Sequence, residues 1–365
     1  MSTAARAQDI AAQFDFGAPL RDVHAHGYGL INNTYLVNID ALPPRRAILQ
    51  RINPKVFPQP QHIMQNLRML LDHAQHTAAH VPPPDTTLQL PDLYRAFDGR
   101  DFVLDTDNSY WRALHFIEGT RVLEHLANPA QAYNIGRALG GFHALLDELP
   151  TEHLHTTLPG FHIAPNYLAH FDTVCAHVTN DARTTAACKF VSARRTLTAT
   201  LEHGKHSGAL PLRAIHGDPK LDNFLFDLHS DRVVSLIDLD TVQPGLIHYD
   251  LGDCIRSCCN RTGESAYDPE TTQFDLEFCH SILRGYVGAA RSFLTAPDFD
   301  FMYDAIRLIP FELGLRFLTD HLAGDVYFKT FSPGQNLHRA RVQFQLTTRI
   351  EQHEAAIRDM IAGLR

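Results

Sequence analysis

The amino-acid sequence predicts an α+β fold of two lobes: a small N-terminal antiparallel-sheet lobe with one helix, and a larger, mostly helical C-terminal lobe. Three observations predict it. Short β-type runs alternate with turn signals between residues 28 and 117, with a single helix-period segment among them. Beyond Glu118-Gly119-Thr120 the periodicity becomes that of helices almost to the end of the chain. Within that helical part, one polar loop and hairpin, residues 215–240, carry carboxylates and an amide at fixed spacing. The division is drawn between residues 1–118 and residues 119–365.

The elements follow in order. A glycine turn at Gly27-Tyr28-Gly29 runs into a β-type segment ending at Val37, and Pro43-Pro44 interrupts it before a second strand at residues 47–52. Residues 61–75 place Ile63, Leu67, Leu70, Leu71 and Ala74 at helical spacing. Pro82-Pro83-Pro84 opens a loop. Strands are predicted at 94–97, 102–104 and 110–117, with turns at Asp98-Gly99 and Asp107-Asn108. Asp-Gly between apolar runs is a hairpin signal. In the second lobe, residues 132–149 align Ile135, Leu139, Phe142 and Leu146 on one helical face, and residues 224–226 and 233–237 form a hairpin. Residues 311–323 align Phe311, Leu315, Leu318 and Leu322. Glu312, Arg316 and Asp320 follow at i, i+4 on another face, where a solvated salt-bridge ladder is the ordinary expectation.

Composition narrows the function. The chain has 365 residues, 44% hydrophobic and 20% charged, with a net charge of −9. That balance lacks the basic footprint of a nucleic-acid or anionic-membrane partner. No apolar run approaches the roughly 18 residues that span a bilayer. Residues 1–15 are Ala-rich and mildly amphipathic, without the apolar centre of a secretory signal. The expectation is a cytoplasmic protein, a monomer or weak dimer. The six cysteines form no CxxC pair and no zinc spacing, so small buried thiols are expected.

The chemistry concentrates in Ile215-His216-Gly217-Asp218-Pro219-Lys220-Leu221-Asp222-Asn223, followed by Ile237-Asp238-Leu239-Asp240. An Asp, an Asn five positions on, and a second Asp twenty positions on is the spacing that phosphoryl transfer from ATP calls for. Asp218 can orient and deprotonate an attacking hydroxyl. Asn223 and Asp238 offer the hard oxygens that magnesium prefers. Lys220 can neutralise charge on the transferred group. His216 is expected to hold the loop, and Asp250 to brace it. Asp240 could contact a second metal or the substrate. Gly27 to Gly29 with Asn32, Asn33 and Thr34 would face phosphate. The connector Phe116, Ile117 and Glu118 is where an adenine would lie against backbone groups.

His216-Gly217-Asp218 with Asn223, then Ile237-Asp238, resembles the aminoglycoside phosphotransferase family of small-molecule kinases, which share the protein-kinase-like fold. The segment Ile135-Gly136-Arg137-Ala138-Leu139-Gly140-Gly141-Phe142-His143 fits the same family. Within it, the N-acetylhexosamine 1-kinases are similar over nearly the whole chain. That likeness is carried by Asn32-Asn33-Thr34-Tyr35, Leu49-Gln50-Arg51-Ile52-Asn53, Asp238-Leu239-Asp240-Thr241-Val242, Tyr249-Asp250-Leu251-Gly252-Asp253 and Glu312-Leu313-Gly314-Leu315-Arg316. The resemblance implies ATP and Mg2+ as cofactors. It implies a sugar acceptor, GlcNAc or GalNAc, phosphorylated at the C1 hydroxyl. Asp218 would be the base, Asn223 and Asp238 the metal ligands, and Arg316 and Tyr327 sugar contacts. An Arg donating to sugar oxygens and an aromatic against a ring face is sound sugar-binding chemistry.

One departure stands out. The second strand of the wider fold supplies a phosphate-binding lysine paired with a helix glutamate. Aligned by pattern, this chain has Gln50 there and Gln65 as the helix partner, leaving Arg51 or another cation to meet the phosphates. Two alternatives accompany the sugar kinase. One keeps the fold but takes an aminoglycoside, choline-like amine or homoserine hydroxyl. The other is a nucleotide-binding regulator without turnover. The motif predicts that Asp218→Asn retains ATP binding, by titration calorimetry, and loses about 100-fold or more in turnover.

Overall fold

A computed structural model describes residues 3–27, 31–80, 88–178, 182–264 and 266–365. The Pro82-Pro83-Pro84 loop and Tyr28-Gly29 of the glycine turn lie outside these residues. The N-terminal lobe contains α1 (Thr3–Ala11), β1 (Leu20–Ala25), β2 (Asn33–Ile39), β3 (Arg45–Arg51), α2 (Pro60–His80), β4 (Leu93–Tyr94), β5 (Val103–Leu104) and β6 (Tyr110–His115). The second lobe follows with β7 (Thr120–Arg121), α3 (Pro129–Leu146), α4 (Ala164–Cys175), α5 (Ala182–Ser192), α6 (Thr200–His206), β8 (Arg213–Ile215), β9 (Phe224–Asp227) and β10 (Val233–Leu236). It ends with β11 (Gln243–Gly245), α7 (Ile247–Cys258), α8 (Leu276–Ala290), α9 (Ala296–Leu322), α10 (Gln335–Gln352) and α11 (Glu354–Leu364).

The N-terminal sheet is antiparallel, in the order β1-β2-β3-β6-β4, with β5 also paired to β6. Strand alternation gives it two apolar faces. Tyr35, Val37, Leu49, Trp111 and Ala113 pack with Ile10 and Phe14 from the α1 side. Ile48 and Leu114 face the other way, toward Leu67 and Leu70 of α2, in a cluster continuous with the core of the second lobe. Helix α2 therefore belongs by its packing as much to the C-terminal lobe as to the sheet.

Several elements lie beyond the predicted strand and helix set, among them α1, β1, the short strands β7, β8 and β11, and the first half of α9. Strand β1 reads Leu-Arg-Asp-Val-His-Ala, and its mixed burial is that of an edge strand without apolar alternation. The Asp98-Gly99 turn forms, with Gly99 N–H donating to Ala96 O at 2.8 Å. Its flanks do not become one hairpin, because β4 and β5 each pair with β6. Helix α9 starts fifteen residues before the predicted 311, at Ala296, and runs through Pro310. Thr295 caps it: its hydroxyl accepts from Asp298 N–H while the Asp298 carboxylate accepts in return.

The second lobe is built around α3 and α8. Their backbones approach so closely that a Cβ on Gly136 would lie 2.0 Å from Ile282 O, and one on Gly285 would lie 2.1 Å from Tyr133 O. This contact seats His143 of α3 against Tyr286 of α8, with Nδ1 3.0 Å from the phenol oxygen. All six cysteines are free thiols. Among the described residues no helix is long and apolar enough to cross a membrane. Because neither carbonyl can retreat without moving its helix, Gly285→Ala is expected to lower unfolding stability by about 1–3 kcal/mol in urea denaturation.

Candidate active site

The loop His216-Gly217-Asp218 is fixed by one buried carboxylate. Asp250, in the first turn of α7, accepts from His216 N–H at 2.6 Å and Gly217 N–H at 2.8 Å. It also receives His143 Nε2 at 2.8 Å. Burial alone would raise this carboxyl, but the His143 hydrogen bond and charge, with the loop amides, hold it below the usual carboxylate range. His216 completes the loop. Its Nε2 donates to Ile237 O at 2.9 Å and its Nδ1 accepts from Asp218 N–H at 3.2 Å. Burial depresses its pKa, which suits a neutral ring with one donor and one acceptor. Gly217 has φ +90°, and a Cβ there would lie 2.8 Å from Thr241, so only glycine fits.

Asp218, Lys220, Asn223 and Asp238 all line one cleft of about 900 Å³ between the lobes. Lys220 Nζ donates to Asp218 Oδ2 at 2.7 Å. Burial opposes the ammonium charge, but Asp218 and Asp238 outweigh it and raise the lysine above its usual value. Asn223 Nδ2 donates to Asp218 O at 2.7 Å. No described residue hydrogen-bonds to Asn223 Oδ1. Asp238 follows β10 with φ +65° and opens onto the cleft. Among the described residues its carboxylate has no hydrogen bond or ion pair. Enclosure by protein and the neighbouring Asp240 push its carboxyl up to about 6. Among the described residues no group of three or more His, Cys, Asp or Glu could enclose a metal. Asn223 Oδ1 and the Asp238 carboxylate are hard oxygens of the kind a magnesium ion takes when most of its ligands come from outside the protein.

The phosphate side differs from the sequence expectation. Gln65 is exposed, so the Gln50–Gln65 pair does not form. Its neighbour Asn66 turns inward instead and donates to Val242 O at 2.9 Å. Arg51 is spent elsewhere, donating to Ser109 Oγ at 2.7 Å. The cation beside Gln50 is Arg112, its register partner on β6. Arg112 Nη2 donates to Gln50 Oε1 at 2.7 Å and also pairs with Asp240. Its Nη1 is buried without a partner among the described residues. Asn32 donates to Asp240 Oδ2 at 2.7 Å. Asp240 thus links the two lobes from the wall of the cleft, with both carboxylate oxygens already paired. Asn32, Thr34 and Gln50 line the cleft, while Asn33 does not; strand alternation turns it to solvent.

At the connector, Phe116 and Ile117 line the cleft but the Glu118 side chain does not. Glu118 pairs outward with Arg46, whose guanidinium lies 3.9 Å from the Phe116 ring centroid. At the far end, Arg316 and Tyr327 line the same cleft. The guanidinium of Arg316 lies 5.2, 5.1 and 5.4 Å from the ring centroids of Phe161, Tyr167 and Phe328. The expected solvated ladder is absent here, since Glu312 and Asp320 are buried. Asp320 accepts from the N–H groups of Val326, Tyr327 and Phe328 at 3.0, 2.8 and 2.9 Å. It thereby fixes the backbone that carries Tyr327 and Phe328.

Residues 22–286 match the family described as APH, the phosphotransferase enzyme family. The chain belongs to this phosphotransferase family. Solved structures share its fold. An aminoglycoside phosphotransferase from Alicyclobacillus acidocaldarius is 14% identical, covering 98% of this chain and 96% of that one, with a TM-score of 0.60. A microcompartment-associated aminopropanol kinase is 17% identical, covering 97% and 98%, with a TM-score of 0.56. The amicoumacin kinase hAmiN, in complex with AMP-PNP, Ca2+ and Ami, is 12% identical over 95% and 94%, with a TM-score of 0.59. At these identities the likeness is one of fold.

Two cleft residues of this phosphotransferase escape sequence reasoning. Arg112 sits in a strand of mixed composition, and only the register with Gln50 reveals it. His162 precedes α4 in a largely apolar loop, Leu158-Pro159-Gly160-Phe161-His162-Ile163, with no motif around it. Asp250→Asn is expected to cost about 2–4 kcal/mol of stability and at least about tenfold in turnover. Because the folded Asp250 carboxyl lies below its unfolded value of about 3.9, its stabilisation is full above about pH 5 and is lost as the pH falls through the folded value. The stability gap between wild type and Asp250→Asn, read in urea, should therefore shrink below about pH 4.

Proposed function

We propose that this phosphotransferase moves the γ-phosphoryl group of ATP to the anomeric hydroxyl of an N-acetylhexosamine. Asp218 is the base. Its Oδ2 is held by Lys220 and, more loosely, by Asn223. No described residue hydrogen-bonds to Oδ1, leaving it to take the hydroxyl proton. The sugar oxygen then forms the bond to phosphorus as the bond to the leaving ADP oxygen breaks. Asn223 Oδ1 and Asp238 would hold magnesium, which when bound draws charge from the phosphate oxygens. The unpaired Asp238 carboxylate and its raised pKa support that assignment, because a cation would relieve the repulsion from Asp240. Arg112 takes the place of the phosphate-binding lysine, with Gln50 orienting it.

Arg316 carries the choice of acceptor. It is a permanent cation caged by aromatic rings in the cleft that Asp218 lines. Such a group repels an ammonium and donates to neutral hydroxyl or acetamide oxygens. Tyr327 lines the same cleft beside it, and its exposed ring can lie against a pyranose face. The second reading, an amino alcohol or aminoglycoside acceptor, is favoured by buried carboxylate oxygens without partners among the described residues, Glu312 Oε2 and Asp253 Oδ2. An ADP-release assay over both acceptor classes separates the two. The proposal expects turnover of GlcNAc or GalNAc, and Arg316→Met should lower its kcat/KM about 100-fold. Turnover of amines alone would overturn it.

A further inference from the structure

The acceptor end of the cleft holds a buried carboxylate that the transfer step does not use. Glu312, on α9, is 1% exposed and lines the cleft with Asp218 and Arg316. Its Oε1 lies 3.0 Å from His162 Nδ1, while its Oε2 is buried without a partner among the described residues. A carboxylate oxygen kept from water and given no donor is unfavourable in the protein alone, and a ligand donor would satisfy it.

His162 reaches the other way, to the catalytic loop. Its Nε2 lies 2.9 Å from the carbonyl oxygen of Gly217, the residue before Asp218. A carbonyl and a carboxylate are both acceptors, so both ring nitrogens carry protons. Burial opposes this charge, but Glu312 outweighs it and raises the imidazole above its usual value. The ring is 4% exposed and stacks on Tyr249, with centroids 5.3 Å apart. It has little freedom to turn.

We infer that Glu312 Oε2 accepts a hydrogen bond from a non-reacting hydroxyl of the acceptor, and that His162 ties this contact to the Gly217 carbonyl and so to the placement of Asp218. Glu312 is then a binding residue and His162 a positioning residue. The inference rests on the neutral-acceptor reading above. It explains why an orphaned carboxylate oxygen and a charged imidazole are kept together beside the loop.

The test compares Glu312→Ala, Glu312→Gln and His162→Gln in the full chain, by KM for acceptor, KM for ATP, kcat and ATP binding. Glu312→Ala should raise the acceptor KM about tenfold or more with the ATP KM unchanged. Glu312→Gln keeps an acceptor oxygen of the same reach and should recover most of that loss. His162→Gln should lower kcat more than it raises the acceptor KM. ATP binding shows that each variant is folded. An unchanged acceptor KM in both Glu312 variants overturns the inference. If the wild type phosphorylates an amine and no N-acetylhexosamine, the sugar reading fails, and the same comparison is made with that amine. Glu312→Gln as damaging as Glu312→Ala would then place an ammonium at Oε2 and overturn the hydroxyl contact. Recovery by Glu312→Gln would uphold it.

Discussion

The Asp250 carboxylate is the constraint on which the site depends. It gathers the amides of His216 and Gly217 and the His143 imidazole into one buried cluster. A charge so far from water is tolerated only because every neighbour donates to it. The consequence reaches in two directions. Outward, the close α3–α8 packing at Gly136 and Gly285 fixes His143. Inward, the loop amides are immobilised, so Asp218 leaves the loop in a set direction. Asp218 is thus oriented by the helical core rather than by a bound substrate.

A second buried acid, Asp240, joins the lobes. It is bonded by Arg112 of β6 and by Asn32, just before β2, both from the N-terminal lobe. The cleft is therefore bridged on its phosphate side by protein groups alone. This arrangement also bears on Asp238. With Asp240 paired to Arg112 and Asn32 and Asp238 left without a protein donor among the described residues, the two acids of one Asp-Leu-Asp segment take different tasks. One ties the lobes together, and the other faces the cleft.

Much of this was legible in the sequence. The turn His216-Gly217-Asp218 with Asn223 and Asp238 is local, so spacing alone places its side chains together. The bracing role expected of Asp250 is what its hydrogen bonds show. Other parts depend on tertiary register. Nothing near Arg112 marks it as a cleft cation, since its role follows from facing Gln50 across β3 and β6. Gln65 was the expected helix partner, but helix phase turns it outward and Asn66 inward. The Glu312, Arg316 and Asp320 spacing suited an exposed ladder equally well. Only the packing of α4 and α10 against α9 shows that this face is enclosed. Strand β1 was hidden because an edge strand has no apolar alternation to display.

We propose a cleft with two ends, phosphate held between Arg112 and Asp238 and a neutral sugar held by Arg316 against Asp218. Everything then turns on the direction in which the acceptor lies. The most direct measurement is a crystal structure of the protein with GlcNAc or GalNAc and a non-hydrolysable ATP analogue. The account predicts the anomeric oxygen within about 3 Å of Asp218, in line with the γ-phosphorus, and Arg316 donating to a sugar or acetamide oxygen. A sugar bound with another hydroxyl at Asp218, or with Arg316 turned from it, would contradict the account.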